Sequence, residues 1–474
     1  MHARALGWRS VAAPAVFVQH HGSISFAEEK DARVRENLAV LNQLYPDYPT
    51  AVQRFIQNDP LAASRARVCL KLLEQRAPGY VLHIGHSWGG GTERALRDIA
   101  HSLSADGVSS LIMEPTTDGA IVFSSMDGKI PVYISLKDSL APLVKALKSI
   151  GVFHIHVHQM IGYPAALWEL PRLLGVPYDV SIHDYLFICP RVQLINNNGI
   201  FCGQPEEEVC EACCNAKPLE TEIEAAFTEL GGTAADWRKF HAEQLRSARM
   251  VITPSSDAGR RIQRYQTFEN IRTLPHPEGG KLGILRPQGG RISVAVIGAI
   301  GPHKGSDLLF RCAKYAKDNE IPITFVIVGF TNMDYKFREL DNVLITGKYK
   351  PADLPKLIDV CGCSIALFLS GWPETYSYTL SEALENGLMP VAFDLGAFHE
   401  RIEAAGRGLC IPFSSSAETV VSALIHIGEV PGNTSGGDGQ PVGRNYRSIA
   451  EDYYGIRPPQ GKKSDAAAGI AQKK

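Results

Sequence analysis

Several things are scarce in this chain. It has almost no net charge, because 48 Lys and Arg stand against 50 Asp and Glu for a formal −2. That balance excludes the broad basic footprint that a nucleic-acid partner demands. No apolar run is long enough and charge-free enough to span a bilayer, so any membrane contact would be peripheral. The opening residues, Met1 to Trp8, lack the apolar core and cleavage site of a secretory leader, which makes the cytoplasm the expected compartment. What remains is ordinary globular composition: 474 residues, 45% apolar and 21% charged. Such a chain has material for roughly three domains with real cores.

Cysteine is unevenly spent. Of ten, five fall in one short region: Cys189, Cys202, Cys210, Cys213 and Cys214. Cytosolic cysteines at such spacing favour metal or simple burial over disulfides. Cys210-Glu-Ala-Cys213 is a Cys-x-x-Cys pair that Cys189 and Cys202 could complete into a four-thiolate structural zinc loop. Such a site would have no open position for catalysis.

From Tyr80 onward the pattern alternates strand and helix. Strands are predicted at Tyr80–Gly85, Ser110–Met113, Ala120–Ser124, Pro131–Ser135, Phe153–His158 and Tyr178–His183, with helices at Gly91–Leu103, Leu140–Ser149 and Pro164–Leu174. A long helical region, Leu219–Ala248, leads to strand Met250–Thr253. A second series begins at Ile292–Gly298, continues through Ile323–Gly329 and ends near Gly428. Alternation of this kind implies parallel sheets covered on both faces, and two such units imply a ligand cleft between them. The expected division is residues 1–77 as an appendage, 78–250 as the first Rossmann-like domain and 251–430 as the second. Residues 431–474 are expected to form a Gly-rich linker, a closing helix at Arg444–Tyr454 and a disordered tail from Pro458.

The most telling segment is Trp372-Pro-Glu374-Thr-Tyr-Ser-Tyr-Thr-Leu-Ser-Glu382, which runs on to Gly387-Leu-Met-Pro390-Val391. It joins two buried-looking strands through a helix predicted at Thr375–Glu385, with Gly387 as its stop. A helix N-terminus at the carboxyl edge of a parallel sheet presents unpaired N–H groups and a positive dipole end, which suits a diphosphate. Carboxylates before the helix and two turns along it can reach sugar hydroxyls on either side.

This segment resembles the E-x7-E signature of the group 1, or family 4, glycosyltransferases, whose fold is GT-B: two Rossmann-like domains facing a cleft. The resemblance implies a donor site in which Glu374 meets the sugar hydroxyls and Glu382 the nucleotide ribose. It places the backbone of Thr375 and Tyr376 on the diphosphate. After strand Val294–Gly298, the turn Gly301-Pro302-His303-Lys304-Gly305 is similar to the family's phosphate loop, with Gly298 at the strand end and Lys304 as its cation. Where the family often has arginine after that glycine, this chain has Ala299, and His303 stands nearby. No Asp-x-Asp suited to a divalent ion lies near these elements, so the resemblance implies no cofactor beyond the nucleoside diphosphate sugar.

The turn His86-Ser87-Trp88-Gly89-Gly90-Gly91 is similar to the glycine-rich loop that meets the donor phosphate from the other domain, with Gly90 and Gly91 as binding positions. His183-Asp184-Tyr185 resembles the family's His-Asp/Glu turn and makes His183 the catalytic candidate of the first domain. His154, His156 and His158 alternate along one strand and so share a face, for packing or metal. Residues 7–61 are similar to the tail of a family 2, GT-A glycosyltransferase, with His20 at its late histidine, and are expected to be a remnant. The implied activity is retaining transfer of a sugar to a glycan or lipid-linked acceptor, as in bacterial surface-polysaccharide synthesis. A non-catalytic sugar-nucleotide-binding module and a GT-B epimerase are the rivals.

Overall fold

The computed structural model describes residues 6–9, 30–86, 88–117, 119–286, 291–429, 442–444 and 446–456. The chain divides into two compact units, Met1–Val68 and Cys69–Lys474. The first holds helices Lys30–Leu44 and Tyr48–Asn58, and no residue of the latter is buried. His20 and most of the segment similar to a GT-A tail lie outside the described residues, as do the tail from Pro458 and nearly all of the Gly-rich linker. The unit boundary falls before the expected residue 77, because Leu73 and Ala77 are already core and Tyr80 Oη donates to the Leu73 carbonyl at 2.7 Å.

The second unit contains two sheets. One has eight strands in the order β4-β3-β2-β1-β5-β6-β7-β8. These are β1 (Tyr80–Ile84), β2 (Ser110–Pro115), β3 (Ala120–Ser125), β4 (Pro131–Ser135), β5 (Val152–Val157), β6 (Tyr178–Ser181), β7 (Met250–Thr253) and β8 (Ile271–Thr273). β2 to β4 pair antiparallel and the rest parallel. The expected parallel sheet therefore carries an antiparallel meander at one edge, where short connections allow hairpins but no crossover helix.

The other sheet is wholly parallel, in the order β11-β10-β9-β12-β13-β14. Its strands are β9 (Ile292–Ile300), β10 (Ile323–Thr331), β11 (Val343–Ile345), β12 (Ile365–Phe368), β13 (Met389–Phe393) and β14 (Leu409–Ile411). Successive residues of β9 feed opposite cores. Val294 and Val296 pack with Leu309, Cys312 and Ala316 of helix Ser306–Asp318, while Ala295 and Ile297 pack with Leu380 and Leu384 of helix Tyr378–Glu385. That burial on both faces is why the strand reads as a continuous apolar run. These are the two Rossmann-like domains facing a cleft that the resemblance implied, in a GT-B arrangement.

Three expectations need correction. β7 and β8 belong to the first sheet, so the first domain extends through Thr273 rather than ending at 250. The long helix splits into Thr221–Glu229 and Ala234–Ser247, because Gly231 and Gly232 both take positive φ. The closing helix shrinks to Ile449–Asp452 and returns to the first domain, where Ile449, Ala450, Tyr453 and Tyr454 pack against Val81, Ile99 and Ile252.

Candidate active site

Both sheets change winding direction where a strand has neighbours from both halves: β1 between β2 and β5, and β9 between β10 and β12. Ligands of open α/β sheets bind beyond the carboxyl ends of strands at such points. The glycine loop follows β1, the Lys304 turn follows β9 and Glu374 follows β12, so topology alone gathers the candidate residues.

In the second domain, Gly305 has φ +81°, and a Cβ there would collide with the Leu369 carbonyl. Only glycine lets the start of helix Ser306–Asp318 press against the end of β12. This approach sets Lys304 Nζ 4.0 Å from Glu374 Oε1, whose position is fixed by a 2.5 Å hydrogen bond from Ser370 Oγ. A small cavity beside them is lined by Ile300, Lys304, Leu367, Ser370, Glu374 and Thr379. Gly298, at φ +115°, faces Thr379, whose methyl would lie 3.8 Å from an added Cβ.

The helix expected from Thr375 starts at Tyr378 instead, because Ser377 adopts φ +75°. Left-handed backbone at a non-glycine residue costs roughly 1–3 kcal/mol and persists only where its surroundings enforce it. Arg401 does so here: its guanidinium donates to the carbonyls of Tyr376 (2.9 Å) and Ser377 (2.7 Å) and to Ser381 Oγ (2.7 Å). The N–H groups of Thr375 and Tyr376 have no hydrogen-bond partner among the described residues. The Tyr376 side chain turns away, with Arg401 stacked 3.9 Å over its ring and its hydroxyl donating to Glu278 Oε2 at 2.6 Å.

The first domain closes on this surface. Thr375 Oγ1 donates to the His183 carbonyl (2.7 Å) and Tyr185 Oη to the Pro373 carbonyl (2.9 Å). Arg94 reaches Glu382 Oε1 at 2.6 Å and covers the Tyr378 ring at 4.3 Å. Gly91 lies against that ring, which would sit 3.7 Å from its Cβ, while a Cβ at Gly90, at φ +80°, would meet no described atom within 4 Å. The structure thus unites Lys304 with Glu374, and His183 with Thr375. Glu382 is engaged by a cation from the opposite domain, which leaves its Oε2 without a partner among the described residues.

His183 Nε2 lies 3.0 Å from His158 Nδ1, and the His276 ring lies nearly parallel to it at 5.2 Å. Burial holds His183 down at about 3, so it is a neutral imidazole. The adjacent Asp184 carboxyl is pushed up to about 6 by burial, although Gln159 Nε2 and the Leu186 N–H both bond to it. Several buried polar atoms around the cleft have no hydrogen-bond partner among the described residues: Trp372 Nε1, Tyr378 Oη, His276 Nδ1 and Glu278 Oε1. Native interiors rarely leave such groups unpaired, and here they cluster where a polar ligand would lie.

Sequence reasoning overlooked Arg94, Glu278, His276 and Arg401. Arg94 stands directly after the glycine loop, and that position was its only legible signal. No three of the cysteine sulfurs proposed for the zinc loop lie within 4.8 Å of one another. Among the described residues, the sole group of three or more ligand atoms within 4.8 Å of one another is His83, His156 and His158. Cys210 Sγ accepts instead from Arg238 Nη2 at 3.0 Å and Cys213 Sγ from Arg191 Nε at 3.3 Å. Burial pushes the Cys189 thiol up to about 12.

Residues 283–431 match the family described as "Glycosyl transferases group 1". No curated protein matches the chain. Among solved structures, Anabaena Alr3699/HepE in complex with UDP is 14% identical and covers 75% of this chain and 92% of its own, with a TM-score of 0.49. The pneumococcal O-GlcNAc transferase GtfA in complex with UDP and GlcNAc is 12% identical, with coverages of 74% and 91% and a TM-score of 0.48. The sucrose-phosphate synthase of Thermosynechococcus elongatus is 15% identical, with coverages of 74% and 89% and a TM-score of 0.47. Likenesses this distant leave the argument to the chain's own geometry. Over the second sheet, from β9 to β14 and including Lys304, Glu374 and Glu382, this chain is similar to the group 1 glycosyltransferases.

Proposed function

We propose that this protein is a glycosyltransferase that moves a sugar from a nucleoside diphosphate sugar to a glycan or lipid-linked acceptor, with retention of configuration. The observation that carries the reading is the pairing of Lys304 with Glu374 at 4.0 Å, beside the unpartnered N–H groups of Thr375 and Tyr376, inside the segment matched by the family. As the donor bond breaks, negative charge develops on the departing diphosphate, and preorganised N–H dipoles with one ammonium stabilise it without reorganisation. Glu374 orients the sugar, Oε2 of Glu382 accepts from the ribose, and His183 faces the reacting carbon. No cofactor is invoked. Work on surface polysaccharide at the cytoplasmic side of a membrane fits a chain in which no described helix is long and apolar enough to cross one.

Titration with UDP and GDP, alongside turnover on a panel of nucleotide sugars, tests this reading. Glu374→Gln and Lys304→Ala are expected to lower kcat/KM by about a hundredfold or more, the scale of a lost charge-stabilising group. Unchanged turnover in both would refute the site. A second reading, a sugar-nucleotide-binding module without activity, is favoured by Ala299 and by the hold of Arg94 on Glu382. Tight binding without turnover on any donor would select it.

A further inference from the structure

One buried face of the first sheet is lined with imidazoles. His83 on β1, His154 and His156 on β5, and the following His158 are at most 2% exposed. They form more than a packing layer. Ser110 Oγ lies 3.2 Å from His83 Nε2, His83 Nδ1 lies 3.1 Å from His158 Nε2, and His158 Nδ1 lies 3.0 Å from His183 Nε2. Three rings in series thus connect an interior serine to the cleft. His156 stands beside this ladder on other partners, Ser181 Oγ at 2.8 Å and Tyr454 Oη at 2.5 Å, and His154 bonds to Asp179.

We propose that His158 and His83 are positioning residues that hold His183 in one ring orientation, with Nε2 turned inward and Nδ1 as the nitrogen left for substrate, and that lock its tautomer to their own. The inference deepens the role given to His183 above and rests on that reading for its kinetic part only. A neutral imidazole has one donor and one acceptor nitrogen. Among the described residues no carboxylate bonds to any ring of the ladder, so none offsets a charge there and each ring keeps a single proton. The protons must then all point the same way along the series, since a reversed ring would set two N–H groups or two lone pairs against each other. The tautomer of His183 is therefore chosen jointly with those of His158 and His83, and Ser110 can close the series in either sense. His183 Nδ1 has no partner among the described residues, and His276 limits swinging of the ring.

Histidine-labelled full-length protein read by 15N NMR tests the ladder without requiring turnover. The His183 and His83 signals, assigned by their loss in His183→Asn and His83→Phe, are expected to show the same neutral tautomer populations. In His83→Phe, which keeps ring volume but cuts the series, and in the milder Ser110→Ala, the His183 populations are expected to shift. Where a donor is turned over, kcat should fall about tenfold or more in His83→Phe with donor KM unchanged, and His83→Gln, which restores a donor and an acceptor, should recover part of it. An unaltered His183 tautomer in folded His83→Phe and Ser110→Ala overturns the proposal. So does stoichiometric zinc lost from His83→Phe, because ligation would consume the ladder's nitrogens. If no donor turns over, the glycosyltransferase reading fails while the NMR result still decides the ladder.

Discussion

Individual side chains here are governed by what surrounds them more than by what they are. Burial holds His83 and His183 at about 3 and His241 at about 4, against 6.5 for an exposed imidazole. Their folded values lie below their unfolded ones, so the stability they contribute is complete above pH 6.5 and is lost as pH falls toward 4 and 3. Asp184 runs the other way: raised from 3.8 to about 6, its contribution is complete below 3.8 and is lost as pH rises through 6. The histidines outnumber it, since burial also drives His156, His158 and His276 well down. Calorimetry is expected to show the melting temperature dropping steadily between pH 6.5 and 4. A flat profile across that window would mean the rings are solvated in solution.

At the level of elements, the site depends on where helices begin. Helix Ser306–Asp318 starts beside Leu369 only because residue 305 is glycine, and helix Tyr378–Glu385 starts late because Arg401 props up the Ser377 turn. Helix Gly90–Ala105 contributes Arg94, whose pair with Glu382 crosses the cleft. Arg94 is 38% exposed at its side chain, so the pair is worth about 1 kcal/mol rather than a buried bridge's several. Arg94→Ala is therefore expected to cost little stability yet to loosen the contact between the domains. Small-angle scattering of the unliganded variant should show a larger radius of gyration than the wild type, and an identical radius would assign closure to Tyr185 and Thr375 instead.

For the whole molecule, the return of the C-terminal segment to the first domain matters most. Tyr454 is 2% exposed, and its hydroxyl meets His156 Nδ1, so the last described residues complete the polar layer that the first strands begin. Tyr454→Phe leaves that nitrogen facing a ring and is expected to destabilise the protein by about 1–3 kcal/mol, measured by urea unfolding. A neutral result would show that water replaces the hydroxyl. The division between Val68 and Cys69 leads to a further expectation. Limited proteolysis in the turn before helix Ala62–Arg76 should leave a resistant fragment beginning near Leu61 that still binds UDP, and loss of UDP binding on cleavage would tie the first helices to the site.

The sequence by itself determined the two α/β series and singled out Lys304, Glu374 and His183 as candidates, because strand alternation, glycine turns and strand-end polar residues are local signals. It misplaced what depends on pairing at a distance. β7 and β8 look like the start of the second domain along the chain, but hydrogen-bond to the first sheet. The cysteines cluster along the chain, but no three of their sulfurs come within 4.8 Å of one another, and arginines take two of them. Only the tertiary structure decided that Arg94 would face Glu382, 288 residues away. It alone also placed His83, His158 and His183 in one series, since they stand on or just beyond separate strands that only sheet pairing brings side by side.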